Sequence, residues 1–337
     1  MHLKIMEWNA QDFFLQLEYP VSKSDIDSMT DEQWKLLART DVHLKPLAKI
    51  KMIADIITEV SPDVVCFCEV GGHESLEMFA RLFLLDRYEA FLVEGNSNRG
   101  IESGFLVKRG LGLKTKIKSH RNWPVPFEYP HEKDPVTHKL AAEAAAYYDL
   151  GHPKTRKLSR DVPALFLGKP GQTALVILLV HLKSGFDTAG VDPEGKIRRA
   201  AELEALLAIH ASVQNHVGPS VPIILTGDFN GRAGRYETGP EFAPLLTSGF
   251  EDVLHLKEVP PYERISQLTF VRSQIIAKQL DFIFIPEILH GRVREAYVYR
   301  YRFPEDQTEI TLPSSFRDRA RLPSDHYPLV CELEIDV

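Results

Sequence analysis

The sequence predicts an α/β fold in which sheets pack face to face with helices outside, and three observations carry that prediction. Strand-like segments outnumber helical ones, many of them come in adjacent pairs, and several are apolar without interruption, as strands buried on both faces are. "HLKIMEW" alternates like a strand, and Asn9 stands where that strand is expected to stop. "TDEQWKLLART" opens a helix in which Thr30 caps the first turn and Gln33 reaches back to it. A second helix places Leu47, Ile50, Ile53, Ile57 and Val60 on one face and ends at "SPD", before the strand "VVCFCE". "HESLEMFARLFL" reads as a helix through Leu76, Phe79, Ala80 and Phe83. Strands are then expected in "YEAFLVEG", "SGFLVKRG", "VPALFLGK" and "TALVILLVHL", followed by a long amphipathic helix from Lys196 to Val217. The remaining strands are "PIILTGD", "QLTFV", "LDFIFIP", "VREAYVYR" and "YPLVCELEI".

No break in composition marks a linker, so residues 1–337 are expected to form a single domain. The stretch from about 111 to 160 is rich in proline and charge and is expected to be a surface insertion carrying one short helix, "KLAAEAAAYYDL". With 44% hydrophobic and 26% charged residues, the composition is that of a globular protein. A net charge of −7 argues against a passive nucleic-acid coat, which works by phosphate neutralisation and carries a basic excess; a metal enzyme acting on phosphates is not excluded. The three cysteines read as reduced core residues, Cys66 and Cys68 pointing the same way along one strand. "MHLKIMEWNA" has no apolar run behind a basic stretch, and no segment approaches the ~20 apolar residues of a membrane span, so a cytoplasmic protein without a transmembrane segment is expected. No protein partner is predicted.

The chemistry is suggested by what stands at the strand ends. "LTGDFN" closes a strand with Asp228 and Asn230, "VVCFCE" ends in Glu69, "VILLVH" ends in His181, and the last strand is entered through Asp325 and His326. Singly, each has an ordinary reading: Gly, Asp and Asn suit turns, and a lone histidine beside an apolar run is commonly a satisfied core residue. Together they line one edge of a sheet sandwich with histidines, carboxylates and amides, where ordinary solvated loops supply Lys, Ser and Gly. The scatter suits Mg²⁺, which keeps much of its water and needs one or two carboxylates plus substrate oxygens. Asp281 lies amid apolar neighbours and needs a partner; His326 is one candidate, an arginine or a backbone donor another.

In order along the chain, "EWNA", "PDVVCFCEV", "SRDVPALFL", "LLVHLKSG", "LTGDFN", "QLDFIFI" and "SDHYPLV" resemble the motifs of the endonuclease/exonuclease/phosphatase superfamily, whose fold is that of pancreatic deoxyribonuclease and of apurinic endonucleases. The resemblance spans nearly the whole chain. It implies a four-layer αββα sandwich, two packed mixed β-sheets flanked by helices, and hydrolysis of a phosphate ester with Mg²⁺ or Mn²⁺. By analogy Glu69 binds the metal, with Asn9 nearby and Asp325 as an additional or water-mediated contact. Asp228 orients or deprotonates the attacking water, and Asn230 holds that water or a phosphate oxygen. His326, held by Asp281, stabilises the charge of the transition state or acts as base, while His181 and Arg160 bind non-bridging oxygens.

The leading expectation is therefore a metal-dependent phosphodiester hydrolase, a nuclease acting on DNA or RNA by in-line attack of an activated water. Basic clusters at Lys114, Lys116, Lys118 and Arg121, at Lys154, Arg156, Lys157 and Arg160, and at Lys196, Arg198 and Arg199 are placed to steer a polyanion. The alternative is a phosphatase or phosphodiesterase of a small or lipid phosphoester, sphingomyelinase-like or inositol-phosphate-like, with the aromatics of "NWPVPFEYP" meeting a membrane, stacking on bases or covering the core. A catalytically dead binding module is disfavoured by the intact set of polar strand ends.

Overall fold

The computed structural model describes residues 1–39, 43–148, 150–271, 274–302 and 312–337. Its strands begin, in chain order, with β1 (His2–Phe13), β2 (Val64–Val70), β3 (Tyr88–Leu92), β4 (Glu102–Lys108), β5 (Lys114–Lys118), β6 (Ala164–Lys169), β7 (Gln172–His181) and β8 (Ile223–Asp228). They continue with β9 (Ala233–Gly234), β10 (Glu237–Thr238), β11 (Phe250–Asp252), β12 (Gln267–Val271), β13 (Gln274–Lys278), β14 (Asp281–Pro286), β15 (Val293–Val298) and β16 (Leu329–Glu334). Two six-stranded sheets result, one in the order β15-β16-β1-β2-β4-β3 and the other β11-β14-β8-β7-β6-β5. In each sheet one central pair is parallel, β1 with β2 and β7 with β8, and the other neighbours are antiparallel.

Side-chain alternation explains why both faces of the central strands are apolar. Leu175, Ile177 and Leu179 of β7 face the first sheet and join its core cluster, whereas Val176, Leu178 and Val180 face outward and pack with Leu203, Leu206 and Ile209 of the helix Lys196–Val217. The first sheet is covered by the helices Leu47–Val60 and Gly72–Leu82; Phe79 of the latter meets Phe13 edge-on, ring centroids 5.0 Å apart. The predicted αββα layering is therefore present. Cys66, Cys68 and Cys331 are free and buried.

Some boundaries depart from the sequence reading. β1 does not stop at Asn9 but continues to Phe13 through a break in register, with Asn9 opposite Cys68 and Phe13 opposite Val70 of β2. The capping box of Thr30 and Gln33 forms, but its helix is only Asp31–Lys35; Thr40, at the end of that segment, lies outside the described residues. The stretch from 111 onward opens with β5, the outer strand of the second sheet, and the expected short helix is Lys139–Ala145, with Asp149 outside the described residues. Among the described residues no helix is long and apolar enough to cross a membrane.

One glycine pins the strand that matters most. Gly227 has φ +134°, and a Cβ there would lie 1.9 Å from the Val180 carbonyl oxygen of the paired strand. Gly227→Ala is expected to destabilise the protein by roughly 3 kcal/mol or more, read as a drop in Tm or denaturation midpoint. An unchanged midpoint would contradict this register.

Candidate active site

Asp228 is the last residue of β8, and its register partners in the two flanking strands are His181 on β7 and Asp281 on β14. Alternation turns all three toward the other sheet, on the face of Ile177, Ile224 and Ile283, so they meet where the two sheets face each other. "GDFN" can then be read residue by residue. Gly227 allows the close approach to β7. Phe229 is fully buried on the opposite face, edge-on to Phe282 and Phe284 at 5.6 and 5.1 Å. Asn230 adopts a left-handed conformation, φ 51°, which asparagine tolerates, and folds back so that its amide N donates to Asp228 Oδ1 at 2.8 Å. Its Nδ2 donates to Leu182 O at 3.0 Å and to Asp228 Oδ2 at 3.1 Å. The motif is both a turn and the wall of a site.

From the first sheet, Asn9 Nδ2 donates to Asp228 Oδ2 across 3.0 Å. His181 Nε2 stands 3.6 Å and His326 Nε2 3.9 Å from that same oxygen. His326 Nδ1 donates to the Asp281 carboxylate at 2.8 and 3.0 Å, so the partner sought for Asp281 is His326. The pair is anchored through the main chain. Ser266 Oγ accepts from Asp281 N, Ser324 Oγ accepts from His326 N and donates to Asn9 O, and Trp8 Nε1 and the Tyr301 hydroxyl donate to His326 O.

Together these groups face a polar cleft of about 250 Å³, lined by every residue nominated from the sequence except Asp281, which stands fully buried behind His326. Gln11, Asp12, Arg99, Ser184 and Gln267 also line it and were not foreseen. Arg99 donates to Asp12 at 2.6 Å from a loop whose sequence, "NSNRGI", carries no motif. Arg160 reaches the rim, with Nη1 3.4 Å from Leu182 O.

Oxygen donors for a hard cation lie on the first-sheet side. Glu69 Oε2 accepts from Asp12 N at 3.0 Å, whereas Oε1 lies 3.8 Å from His181 Nε2, too far for a hydrogen bond. Asp325 takes Arg319 Nη2 at 2.8 Å on one oxygen. Asp228, Asp281 and His326 also offer ligand atoms within 4.8 Å of one another. The carboxylate oxygens of Asp228 and Asp281 are buried and already accept hydrogen bonds, whereas an ion that keeps its water suits Glu69 Oε1 and Asp325, with Asn9 beside them, better.

Burial and neighbouring charge set the protonation states. Burial, reinforced by Asp281 and opposed by His326, pushes Asp228 up to about 7. Burial also holds His181 well below the usual imidazole range, with Arg160, His326 and Arg99 adding to it, so this ring is neutral. For His326 burial acts downward too, but the carboxylates of Asp281 and Asp228 together raise it well above the ordinary value, so this ring is a cation.

Behind the cluster sits Glu7, fully buried on β1, both carboxyl oxygens without a hydrogen-bond partner among the described residues. Burial, then Asp281 and Asp228, raise it well above a normal glutamate. A folded-state pKa above the unfolded value means the folded protein holds a proton that the unfolded chain loses, so stability falls as pH rises through that window. Glu7→Gln removes this slope. Its Tm relative to wild type is expected to climb as pH rises above the ordinary glutamate range; a constant difference would contradict a neutral Glu7.

Several charges and aromatics are not where the sequence reading put them. Arg156 is buried against Glu132 at 2.6 Å and lies over the rings of Phe127 and Tyr129 at 4.6 and 4.7 Å, so the aromatics of "NWPVPFEYP" serve an internal contact. Arg199 is paired with Glu241 at 2.7 Å and Arg198 with Glu202 at 3.1 Å. Lys114, Lys116 and Lys118 share the exposed face of the edge strand β5. Of the three basic clusters, Arg160 lines the cleft and Lys157, bonded to Asn122, lines the groove beside it; neither makes an ion pair among the described residues.

Solved structures share this architecture. Human Nocturnin catalytic domain with bound sulfate aligns over 99% of this chain and 94% of its own at TM-score 0.56 and 16% identity. TDP2 from D. rerio, complexed with a single-strand DNA product, aligns over 100% and 99% at TM-score 0.56 and 14% identity. The endonuclease/exonuclease/phosphatase protein from Bacteroides vulgatus covers 100% of both chains at TM-score 0.55 and 13% identity. The chain has the endonuclease/exonuclease/phosphatase fold. At these identities the likeness is one of fold; no protein-family model and no curated protein matches the sequence.

Proposed function

We propose that this protein is a metal-dependent phosphodiester hydrolase, and within that class a nuclease that cuts DNA or RNA by in-line attack of an activated water, using Mg²⁺ or Mn²⁺. The observation that carries the reading is Asp228 set between a neutral and a cationic imidazole, with two asparagine amides on its carboxylate and free carboxylate oxygen opposite. A base near neutrality is well matched to drawing a proton from water. Asp228 takes that proton, and Asn9 and Asn230 fix the direction in which its carboxylate points. His326, held by Asp281, presents a cation to the charge that builds on the phosphoryl oxygens, and neutral His181 with Arg160 donates to the non-bridging ones. A divalent ion held by Glu69, Asn9 and Asp325 would supply further neutralisation of that charge when bound.

Two grooves favour an extended substrate. One of about 610 Å³ adjoins the cleft at Arg99, Arg160 and Ser184, and one of about 820 Å³ adjoins it at Asn230 and Gln267. Phe186, 75% exposed, borders both and offers a ring for a base to stack on. The likeness to a protein seen with a single-strand DNA product points the same way. Because the site draws on Asn9 at one end of the chain and His326 at the other, we read residues 1–337 as one working domain, with the part of the region around 111–160 that follows β5 as its surface insertion. The test is hydrolysis by EDTA-treated protein, with and without added Mn²⁺, of a single-stranded oligonucleotide, bis(p-nitrophenyl) phosphate and sphingomyelin liposomes. Mn²⁺-dependent cutting of the first two is expected. Turnover of the lipid alone would replace the nuclease reading by the lipid one, and no turnover of any would end both.

A further inference from the structure

We infer that Lys45 is a positioning residue for the metal-binding side of the cleft: its buried amine holds the irregular turn of β1, which orients Asn9 and Glu69 through its backbone amides and holds Asp325 through the Gln11 side chain. The inference rests on the proposed function for the identity of those three residues as metal ligands, and on geometry for everything else.

Between Asn9 and Phe13, three residues of β1 stand opposite the single residue Glu69 of β2, and Gln11 and Asp12 take left-handed conformations with φ 49° and 48°. On its other side β1 pairs with β16 only as far as Glu7 opposite Leu329. The carbonyls of Ala10 and Gln11 therefore have no strand partner, and an unpaired buried carbonyl is costly. Lys45 Nζ donates to both, at 2.9 Å and 2.7 Å.

That turn is also the point from which the three oxygen donors are aimed. Gln11 N donates to Asn9 Oδ1 at 3.0 Å, Asp12 N donates to Glu69 Oε2 at 3.0 Å, and Gln11 Oε1 accepts from Asp325 N at 3.2 Å. Asn9 and Glu69 thus each have one side-chain oxygen fixed by the strained pair, the main chain of Asp325 is fixed by the Gln11 side chain, and all three residues line the cleft. Left-handed conformations at two consecutive non-glycine residues persist only when their surroundings enforce them.

Lys45 is built for that task. It is 4% exposed, and its main chain is fixed at both ends, its N–H donating to Phe14 O at 3.1 Å and its carbonyl accepting from Trp34 Nε1 at 2.9 Å. Pro46 follows and starts the helix Leu47–Val60. A lysine serving only to balance the acids nearby would be ion-paired; this one makes no ion pair among the described residues and gives its hydrogen bonds to main-chain oxygens. Two donors suffice whether the amine is charged or neutral.

The test compares Lys45→Met, which keeps length and apolar stem, with Lys51→Met, which loses a bond to Ile26 O but nothing at the β1 turn. Mn²⁺ binding is measured by electron paramagnetic resonance on the full-length protein without substrate. Lys45→Met is expected to weaken Mn²⁺ about 10- to 100-fold, as loss of an outer-shell partner does, with kcat largely recovered at saturating Mn²⁺. Lys51→Met is expected to bind Mn²⁺ as wild type does. Equal affinity in wild type and Lys45→Met would overturn the inference and leave the proposed function standing, whereas a wild type that binds no Mn²⁺ would remove both. Should Lys45→Met fail to fold, hydrogen exchange on metal-free wild type decides: slow exchange of the Gln11 and Asp12 amides supports a turn formed in advance, and exchange at the rate of an open chain overturns it.

Discussion

Asp228→Ala is expected to lower kcat for phosphodiester hydrolysis by about 10²- to 10⁴-fold, the usual weight of a positioned general base, while the protein stays folded. Folding should survive because the main chain around Asp228 is independently held: Leu182 N donates to Asp228 O at 3.0 Å, and Phe229 N to Leu280 O at 2.9 Å. The substitution also removes a buried acid whose ionisation is disfavoured, so the fold loses less than the enzyme does. With Asp228 as the proposed base, the acid limb of the wild-type kcat/KM profile is expected to report deprotonation of this carboxyl. Burial pushes this carboxyl up to about 7 in the metal-free protein, and a divalent ion bound in the same cleft would stabilise the carboxylate, so the limb is expected below that value and to move up as metal is withheld. Wild-type turnover by a folded Asp228→Ala protein would remove Asp228 from the role of base.

His326→Ala is expected to cost about 10²- to 10³-fold in kcat, since it deletes a fixed donor at the charge-bearing oxygens. Asp281→Asn leaves the ring in place and removes only the charge that raises its pKa, so about a 10- to 100-fold loss is expected. The two effects should not add. In the double variant Asp281→Asn, His326→Ala, the loss should match that of His326→Ala alone, because Asp281 acts through the ring it touches at 2.8 Å. Steady-state kinetics on bis(p-nitrophenyl) phosphate at saturating Mn²⁺ checks all three variants. Additive losses would mean that Asp281 has a separate task.

The layers of the fold could be read from the sequence because burial on both faces leaves uninterrupted apolar runs, and "TALVILLVHL" and "LDFIFIP" are such runs. His181, Asp228 and Asp281 were legible for a related reason. A polar residue that ends such a run must sit at a sheet edge with partners, and these three are neighbours in register. The β1 turn was not legible: "NAQDF" has no glycine or proline to announce left-handed backbone, and what sustains it is a lysine 35 residues away in sequence. Glu7 was hidden by its charge: alternation places it on the face of Leu3 and Ile5, but a carboxylate invites a solvent-facing reading, whereas β1 is central in its sheet and Glu7 is fully buried. The basic clusters misled because counting charges along the chain does not reveal that Arg156, Arg198 and Arg199 spend theirs on Glu132, Glu202 and Glu241.

The central claim is that the carboxylates of Glu69 and Asp325 would hold a divalent ion and, with Asp228 and the imidazoles of His181 and His326, would grip one phosphodiester in the cleft they line together. Anomalous diffraction from a crystal soaked in Mn²⁺ and a nucleoside monophosphate tests it most directly. The account predicts a manganese peak bonded to Glu69, with Asn9 or Asp325 beside it and the phosphate within hydrogen-bonding reach of His181 and His326. Manganese seated instead among Asp228, Asp281 and His326, or a phosphate bound away from both histidines, would contradict it.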